Sequence, residues 1–437
     1  MNIKISEYGG VGDGVCDDTV AIQKSIDKCS EKGGGIVIFE AGKTFLSSGL
    51  VLKSNITLQL EKGSIIKGSG KTEEYITRKG PFERINSETS ICALIYSKNT
   101  KNIKITGEGS IDGNYKLFLE SDEKATAHFD VYTYPRPMNI YIENCENLLI
   151  EDITVQKAPF WTIHLVGCQG TIIDNINITN DLRMPNTDGI DIDRCKNTII
   201  KNCRIVTGDD AICPKCTEET AEYGDCENLL VTNCNLTSTS SAIKFGSSSF
   251  GTFKNCIFTN INITNSNRGL SFQIRDTHGV ENVLFSHINI QTKRFSDEWW
   301  GRGEPIYITC AAREEGMCIS TIKNVVFEDI ICETETGIFI YSDVEDAIQN
   351  IRFKNVLLNF KRQSIYELGQ YDLRPWIGKP MIYEKVSPIY ACHARDVSFE
   401  NVSISDVDNI LESREGIFLE CKDVIFKQCD TLIKSKA

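Results

Sequence analysis

A short motif that repeats along most of this 437-residue chain limits what the protein can fold into. Each copy has an Asn or Asp, three or four mostly apolar residues, a polar pair and a further apolar residue. The Asn at the start of a copy tolerates left-handed backbone and is expected to stack in a side-chain ladder. The apolar positions are rich in β-branched residues and Phe and do not follow the 3.6-residue spacing of a helix. Most copies start 24 to 31 residues apart, and a period of this length predicts a solenoid of short strands. The clear copies begin at Asn147, Asn197, Asn228, Asn255, Asn282, Asn324 and Asn350, and weaker ones at Thr171, Asp396 and Asp423.

We interpret this solenoid as an all-β, right-handed parallel β-helix of about ten coils. Each coil buries its inward side chains against the coils above and below, so the whole chain, residues 1–437, is predicted to be one domain. Residues 1–70 are predicted to form the N-terminal cap and the entry coils. Two unusually long intervals between copies predict loops that leave the coil near residues 292–321 and 360–393.

Residues 18–31 have the pattern of an amphipathic helix. Asp17 or Asp18 is the expected N-cap. Because the open end of a solenoid exposes its core, we expect this helix to cover the first coil. Its apolar stripe consists of Ala21, Ile22, Ser25, Ile26 and Cys29.

Charge and hydropathy argue against two classes of partner. The net charge of −13 disfavours nucleic acid, which binds basic surfaces. No segment has the length of an apolar membrane span. Residues 1–7 lack the apolar stretch of a signal peptide, so we expect a cytoplasmic protein. The oligomeric state is not predicted by any of these features.

Eighteen cysteines are many for a chain of this length. A free Cys is a small apolar residue that suits a buried ladder, so we predict reduced thiols, as in a cytoplasmic protein. Cys213 and Cys216 have CxxC spacing, but no second such pair accompanies them, and we predict neither a metal nor a cofactor. The cysteines in phase with the coils are Cys145, Cys168, Cys195, Cys203, Cys226, Cys234 and Cys256.

Three carboxylates occupy the same phase of the repeat. Asp188 lies in the segment Asn-Thr-Asp-Gly-Ile-Asp, and Asp209 and Asp210 follow Gly208 in the segment Gly-Asp-Asp-Ala. Stacked coils would bring them onto one patch, where clustered carboxylates repel and one keeps its proton to higher pH. An acid beside a base is what cleavage of a glycosidic bond needs. Aspartates also cap turns, but of two adjacent ones on a regular strand, one would be buried without a partner.

The blocks around these aspartates resemble glycoside hydrolase family 28, the polygalacturonase and rhamnogalacturonan hydrolase family. The blocks are Pro-Phe-Trp-Thr-Ile-His at 159–164, Asn-Thr-Asp-Gly-Ile-Asp at 186–191 and Gly-Asp-Asp-Ala-Ile at 208–212. Residues 8–14, Tyr-Gly-Gly-Val-Gly-Asp-Gly, resemble the entry cap of the pectate-lyase-like β-helix superfamily. The resemblance covers roughly residues 6–350.

This resemblance implies an inverting hydrolase that needs no metal. It implies that Asp209 is the general acid, which protonates the leaving oxygen. It implies that Asp188 and Asp210 hold and activate the attacking water. In an inverting enzyme the acid and the base stand roughly 6.5–9.5 Å apart, so that the water fits between them.

The chain departs from the family pattern in two places. Polygalacturonases carry Gly-His-Gly where residues 240–247 of this chain have no His. They carry Arg-Ile-Lys, which binds the galacturonate carboxylate, where residues 271–273 read Ser-Phe-Gln. The rhamnogalacturonan hydrolases of the family lack both features too. Polygalacturonate is therefore expected to bind poorly. Lys244 and Arg275 either supply the missing charge from neighbouring positions or have solvated or stacked roles. Gln273 is a further candidate for substrate contact.

Further residues are predicted to contact a sugar. Trp299 and Trp300, with Glu304, lie in the first long loop, where an aromatic face can stack on the C–H face of a sugar ring. The alternative is that the Trp pair pins the loop to the solenoid. A long loop also tends to close one end of a cleft, which favours exo action. His164 and Asp191 are the last two residues predicted to contact a sugar; the alternative for His164 is that it is a packed residue.

The predicted function is hydrolysis of an α-glycosidic bond in a pectic or related plant oligosaccharide. Two alternatives stay open. A polysaccharide lyase would hold calcium on Asp188, Asp191, Asp209 and Asp210 and use Lys244 as the base, and it would release an unsaturated product. A carbohydrate-binding or structural β-helix would show no turnover at all.

Overall fold

The computed structural model describes residues 1–78, 91–121, 127–131 and 136–429. These residues form two compact units. The first consists of Met1–Asp209 with Glu222–Gly224, and the second of Asp210–Ala221 with residues 225–429. The expectation of a single domain over residues 1–437 stays a prediction.

The first unit contains the α-helix Thr19–Glu31 and three 3-10 helices, Ile5–Tyr8, Thr72–Glu74 and Tyr115–Phe118; a fourth, Glu218–Tyr223, lies at the boundary between the units. Its strands are Asn2–Lys4, Asp13–Asp17, Gly35–Phe39, Thr44–Ser47, Leu50–Val51, Ile56–Leu60, Ile65–Gly68, Ile76–Arg78, Ile91–Gly107, Ser110–Asp112, Leu119–Ser121, Asp130–Val131, Met138–Glu151, Thr154–Gln156, Ile163–Val166, Gln169–Asp174, Asn177–Thr179, Ile190–Asp193, Lys196–Lys201 and Arg204–Thr207.

The second unit is built from strands. They are Ile212–Lys215, Cys226–Ser238, Ser241–Ser247, Phe253–Ser266, Arg268–Ile274, Val280–Thr292, Ile306–Cys310, Ile322–Thr334, Ile338–Ser342, Ile348–Phe360, Gln370–Asp372, Met381–Tyr383, Ile389–Cys392, Ala394–Asp406, Ile417–Leu419 and Lys422–Lys427.

Strands in both units pair in parallel with the strand one coil further along the chain. In the first unit Tyr141 is in register with His164, and His164 with Asp191. In the second unit Phe285 is in register with Phe258 on one side and Phe327 on the other. This pairing, with coils that repeat at the predicted interval, confirms the parallel β-helix.

A column of stacked phenylalanines fills the core of the second unit. Phe258, Phe285, Phe327 and Phe353 are fully or almost fully buried, and consecutive ring centroids along the column lie 4.9, 5.2 and 4.9 Å apart. Because each Phe occupies the same position of its coil, in-register pairing brings the rings into contact. The Phe residues of the repeat are therefore core residues, as the repeat predicts.

The Asn residues that open the repeat form a ladder on the surface. In the second unit the side-chain amide of Asn282 donates to Asn255, and that of Asn324 donates to Asn282, at 3.2 and 3.0 Å. Each of these residues has a positive φ near 57°, for example 58° at Asn282. The prediction that Asn supplies left-handed backbone and a stacked ladder is confirmed.

Replacing Asn282 with Ala is expected to lower the free energy of unfolding by about 1–2 kcal/mol, because alanine is strained in the left-handed region. Replacing it with Gly, which adopts this conformation freely, should cost less, since only the ladder hydrogen bonds are lost. Chemical unfolding of the two variants measures the difference. Equal losses for Ala and Gly would show that backbone conformation does not explain the Asn at this position.

The predicted N-terminal helix is present as Thr19–Glu31 and packs on the strands Asn2–Lys4 and Gly35–Phe39. All five predicted stripe residues are buried. Asp17 accepts a hydrogen bond from the Thr19 amide at 2.9 Å, whereas Asp18 accepts from Val11 and Gly12 of the preceding loop. Asp18 therefore occupies the N-cap position without a side-chain capping hydrogen bond, and Asp17 accepts from the first helical amide instead.

Insertions interrupt the coils at several points of the described chain. The segment predicted as one loop, 292–321, contains the coil strand Ile306–Cys310 and is therefore two loops, 293–305 and 311–321. The second predicted insertion is residues 361–388, which carry the antiparallel hairpin of Gln370–Asp372 and Met381–Tyr383. A further insertion, of which only residues 113–121, 127–131 and 136–137 are described, lies between Ser110–Asp112 and Met138–Glu151; it precedes the first counted repeat, and no repeat interval revealed it.

All eighteen cysteines lie in the described part of the chain and are free thiols. The seven in phase with the coils are buried. Burial raises the pKa of the Cys256 thiol to about 12 and that of Cys145 to about 11, so these thiols are unreactive. Within the described ranges, no helix is long and apolar enough to cross a membrane.

Candidate active site

Two of the three predicted catalytic aspartates, Asp188 and Asp209, belong to the first unit. The Thr187 hydroxyl donates to the Met184 carbonyl at 2.8 Å and accepts from the Gly208 amide at 3.1 Å, so it ties together the turns that carry the two aspartates. A Cβ at Gly208 would lie 2.3 Å from the Met184 carbonyl oxygen, so this turn requires glycine. Asp188 is 3% exposed and Asp209 8% exposed.

Arg136 also fixes the segment before Asp188. Its guanidinium donates to the carbonyls of Pro159 and Pro185 at 2.8 and 3.0 Å and to the Asn186 side chain at 2.9 Å. The side chain is 1% exposed. Arg136 lies outside every motif of the repeat, and no pattern in the sequence marks it as part of the site.

His164 and Asp191 are neighbours in the sheet of the first unit, and both are fully buried. The His164 ring packs edge-on against Trp161 and Tyr141, with centroids 4.9 and 5.2 Å away. Its Nε2 lies 3.6 Å from an Asp193 carboxylate oxygen. Neither side chain has exposed surface that a sugar could contact, so we leave both out of the substrate-binding set. His164 is a packed residue of the core, which was the alternative interpretation.

Asp210 begins the second unit and is 1% exposed. One carboxylate oxygen accepts from the Ser240 hydroxyl and the Ser241 amide at 2.9 and 3.1 Å, and the other accepts from Lys244 Nζ at 2.5 Å. Burial alone would raise the pKa of Asp210, but Lys244 and Lys215 hold that pKa below its ordinary value. Asp210 is therefore a carboxylate with a fixed orientation.

The Lys244–Asp210 pair bears on the lyase alternative. A calcium ion bound to Asp210 would have to compete with an ammonium group already in contact with it. Lys244 would also be a poor base while it is paired as a cation. The geometry at Asp210 thus favours hydrolysis over calcium-dependent elimination.

The CxxC cysteines lie beside this aspartate. Both are buried, and Cys213 Sγ lies 3.9 Å from the Asp210 carboxylate and donates to the Gly246 carbonyl at 3.1 Å. Cys213 lies on the strand Ile212–Lys215, Cys216 follows that strand and is also buried, and the two thiols are not joined by a disulfide.

Arg275 is fully buried and does not reach the surface. Its guanidinium donates to the carbonyls of Leu373 and Pro375 at 3.0 and 2.7 Å, to the Thr309 hydroxyl at 2.9 Å and to the Tyr307 hydroxyl at 3.2 Å. Its donors are committed to holding the second insertion against the coil. The expectation that Arg275 supplies charge to a substrate by direct contact is therefore corrected: its role is structural.

Gln273 and Glu304 have similar structural roles. The Gln273 side chain donates to the Arg374 carbonyl of the second insertion, and Gln273 is 1% exposed. Glu304 is fully buried and accepts from Arg268 Nε at 3.1 Å and from the Arg302 amide at 2.7 Å. We therefore withdraw both from the substrate-binding set, because neither has surface free for a sugar.

Trp299 and Trp300 are half-buried, so each keeps part of its indole exposed. The Asn267 side chain donates to the Trp300 carbonyl at 2.5 Å, and the Ser296 hydroxyl accepts from the Trp299 amide at 2.9 Å. The guanidinium of Arg374 lies over the Trp300 ring, 5.7 Å from its centroid. The backbone of this pair is pinned while the rings remain partly open, which leaves a sugar platform feasible.

On the outward side of the coil strands in the second unit, the side chains change from partly exposed to fully buried between one strand and the next. Lys244, Ser271, Tyr307, Phe339 and Tyr390 are in register, one on each strand, and we call them the outer row. The Lys244 side chain is 14% exposed, whereas Ser271, Tyr307 and Phe339 are fully buried. The cover over the last three members includes Tyr371 of the second insertion, whose ring stacks on Phe339 at 4.3 Å.

Comparison with known proteins identifies a family. The model of "Glycosyl hydrolases family 28" matches residues 39–368. A "Probable polygalacturonase" of Vitis vinifera is 31% identical over 226 residues, which are 50% of this chain and 44% of that protein. An "Exo-poly-alpha-D-galacturonosidase" of Dickeya chrysanthemi is 25% identical over 253 residues, 48% of this chain and 41% of that protein. The matched part thus spans less than half the length of either relative.

Solved structures show the same fold. The family 28 exopolygalacturonase of Yersinia enterocolitica superimposes with a TM-score of 0.77 over 97% of this chain and 78% of that chain, at 21% identity. The hyperthermoactive exopolygalacturonase of Thermotoga maritima gives a TM-score of 0.68 over 82% of this chain and 87% of that chain, at 22% identity.

Proposed function

This chain belongs to glycosyl hydrolases family 28 and is a glycoside hydrolase, and we propose that it cleaves an α-glycosidic bond in a pectic or related plant oligosaccharide with inversion. The partner is the oligosaccharide itself. A cytoplasmic location is part of the proposal, and it rests only on the sequence.

The observation that carries the proposal is the environment of Asp210. A buried carboxylate held by Lys244, a hydroxyl and a backbone amide stays ionised and keeps one orientation, as a base that activates water must. Asp209 is the adjacent residue in the chain and is also buried, with 8% of its surface exposed against 1% for Asp210. Adjacent aspartates in different surroundings can perform different steps of one reaction.

In the proposed mechanism Asp209 donates a proton to the glycosidic oxygen as the bond to the anomeric carbon breaks. Asp188 and Asp210 hold a water on the opposite face of the sugar ring and accept its proton as it attacks. Thr187 and Arg136 support this assignment, because they hold the turns before Asp209 and Asp188 through the hydrogen bonds described above. Such positioning is worth as much as the acid–base chemistry itself in many enzymes.

We further propose that the enzyme releases sugars from a chain end. Support comes from the outer row, which is partly open at Lys244 and covered from Ser271 onward. An extended polysaccharide cannot lie along strands that the second insertion covers. Product analysis tests this: short products from the first minutes of reaction are expected, and a ladder of long fragments would contradict end-directed cleavage.

The hydrolase proposal is tested with a panel of pectic and other plant oligosaccharides. Wild-type protein is expected to release reducing sugars from at least one of them without added metal. The Asp209→Asn variant, which keeps the shape of the side chain, should be strongly impaired on the same substrate. Turnover that requires calcium and yields an unsaturated product would overturn the proposal in favour of a lyase.

Replacing Lys244 with Gln is expected to move the acid limb of the kcat/KM–pH profile to higher pH. Lys244 lowers the pKa of Asp210, so its loss raises that pKa, and Asp210 then becomes protonated and inactive at a higher pH than in the wild type. Lys215 continues to act on Asp210 in both proteins. The Lys244→Arg variant keeps the charge and should preserve the limb; an unchanged limb in Lys244→Gln would show that this ion pair does not control the base.

A further inference from the structure

Two insertions of the second unit, residues 293–305 and 361–388, meet at the carboxylate of Asp372, which is fully buried. From its own insertion, Asp372 accepts from Arg374 through both carboxylate oxygens, at 2.9 and 2.7 Å. From the other insertion it accepts from the Gly301 amide at 3.1 Å and lies 3.8 Å from the Arg302 guanidinium. The loops 293–305 and 361–388 are therefore held together as one wall.

This wall has an excess of positive charge. The charged cluster where the loops meet contains four arginines, Arg268, Arg275, Arg302 and Arg374, and two carboxylates, Glu304 and Asp372, and all of them except Arg374 are buried. Arg275 has only carbonyl and hydroxyl acceptors, and burial lowers its pKa. A buried cation without a counter-ion is costly, so a nearby anion is attracted. The excess stands out in a chain whose net charge is −13.

Arg374 is the member of this cluster that reaches the surface. Its side chain is 34% exposed, whereas those of Arg268 and Arg302 are 2% and 6% exposed. Its Nε and Nη2 are occupied by Asp372, and Nη2 also donates to the Trp299 carbonyl at 3.1 Å. Its Nη1 makes only one long contact, 3.5 Å to the Glu298 carbonyl. A rigidly held guanidinium thus presents one nitrogen with spare donor capacity.

The backbone of Arg374 is anchored to the strand that pairs with the strand of Lys244, the partly exposed member of the outer row. Its carbonyl accepts from the Gln273 side chain, and Gln273 lies on the strand that pairs with the strand of Lys244. Paired strands are about 4.8 Å apart. The half-buried Trp300 lies under the guanidinium, so an aromatic face and a cationic group adjoin there.

We propose that Arg374 is a specificity-determining residue that pairs with the carboxylate of a uronic acid at the end of the bound oligosaccharide. This inference rests on the proposed function and narrows its substrate class to acidic sugars. It supplies the charge that sequence patterns suggested for Arg275, and it replaces the expectation, drawn from the absent Arg-Ile-Lys, that polygalacturonate binds poorly. Arginine suits the task, because a charge-assisted hydrogen bond to a carboxylate is about twice as strong as a neutral one.

The test compares two matched ligands, an α-linked trimer of galacturonic acid and the same trimer with its carboxyl groups reduced to alcohols. Binding is measured by calorimetry in the Asp209→Asn background, which prevents turnover, and kcat/KM is measured in the otherwise wild-type enzyme. Arg374→Gln is expected to weaken binding of the acidic trimer about 10- to 100-fold and to leave the reduced trimer within about threefold. Arg374→Lys should recover part of the loss.

The matched control is Arg395→Gln. Arg395 is an arginine of similar exposure, 39% for its side chain, that pairs with Asp346 at 3.3 Å, and it should change neither trimer. Equal weakening of both trimers by Arg374→Gln would overturn the inference and show that Arg374 only holds the loops together. The inference would also be overturned if Arg374→Gln weakened neither trimer, or if the wild-type protein bound the reduced trimer more tightly than the acidic one. The binding comparison does not depend on turnover, so failure of the proposed hydrolysis would be seen separately, as a wild-type enzyme that cleaves nothing in the panel.

Discussion

Replacing Asp209 with Asn is expected to lower kcat by about 10²–10⁴-fold on an oligosaccharide substrate, the usual contribution of general acid catalysis. The oxygen of a sugar leaving group is strongly basic and cannot depart without a proton. The Asn side chain has the same shape but no acidic proton to give. A glycoside with a nitrophenyl leaving group needs little protonation, so the same variant should lose much less activity on it.

Asp188→Asn and Asp210→Asn are the matched comparisons for this result. Both should slow the two kinds of substrate alike, because every substrate needs the activated water. If Asp209→Asn slows both substrates equally while Asp188→Asn depends on the leaving group, the two roles are reversed. If none of the three substitutions matters, the catalytic site lies elsewhere.

Replacing Glu304 with Gln is expected to lower the free energy of unfolding by about 3–5 kcal/mol, because it leaves Arg268 as a buried charge without its partner. Arg268 and Glu304 side chains are 2% and 0% exposed and lie 3.1 Å apart. The Arg268 guanidinium also stacks on Tyr307 and donates to the Asp372 carbonyl at 2.8 Å. The loss should therefore extend to the docking of both insertions, which limited proteolysis can follow.

The control for this prediction is Glu328→Gln in the same unit. Glu328 pairs with Lys354 at 2.6 Å, but the two side chains are 31% and 48% exposed. A surface pair of this kind contributes about 1 kcal/mol or less. A Glu304→Gln variant with unchanged stability and a raised KM would restore Glu304 to the substrate-binding residues.

The parallel β-helix could be predicted from sequence because its evidence is periodic. The Phe of each repeat is typical of a strand, and the Asn before it is typical of left-handed backbone. The core position of Phe285 and the backbone conformation of Asn282 were therefore predicted without knowledge of the residues that they contact. The capping helix was equally visible, since its stripe has helical spacing. Patterns of this kind arise from local geometry, which the sequence carries directly.

The contacts around the site could not be predicted in this way. Arg275 is 98 to 100 residues distant in sequence from the carbonyls of Leu373 and Pro375 that it binds, and such a contact has no periodic signature. The same applies to Gln273 and Arg374, which are 101 residues apart. The motif positions of Asp188, Asp209 and Asp210 follow from the repeat, but the repeat does not show that Arg136 fixes the segment before Asp188 or that Lys244 pairs with Asp210.

The configuration of the first product tests the central claim most directly. An α-linked oligosaccharide is mixed with the enzyme, and the anomeric protons of the new reducing end are followed by NMR before mutarotation mixes the two forms. Water attack from the face opposite the leaving group, with Asp188 and Asp210 as the activating carboxylates, predicts that the β anomer appears first. Appearance of the α anomer first would indicate a covalent intermediate and retention, and would contradict the mechanism proposed for these three aspartates.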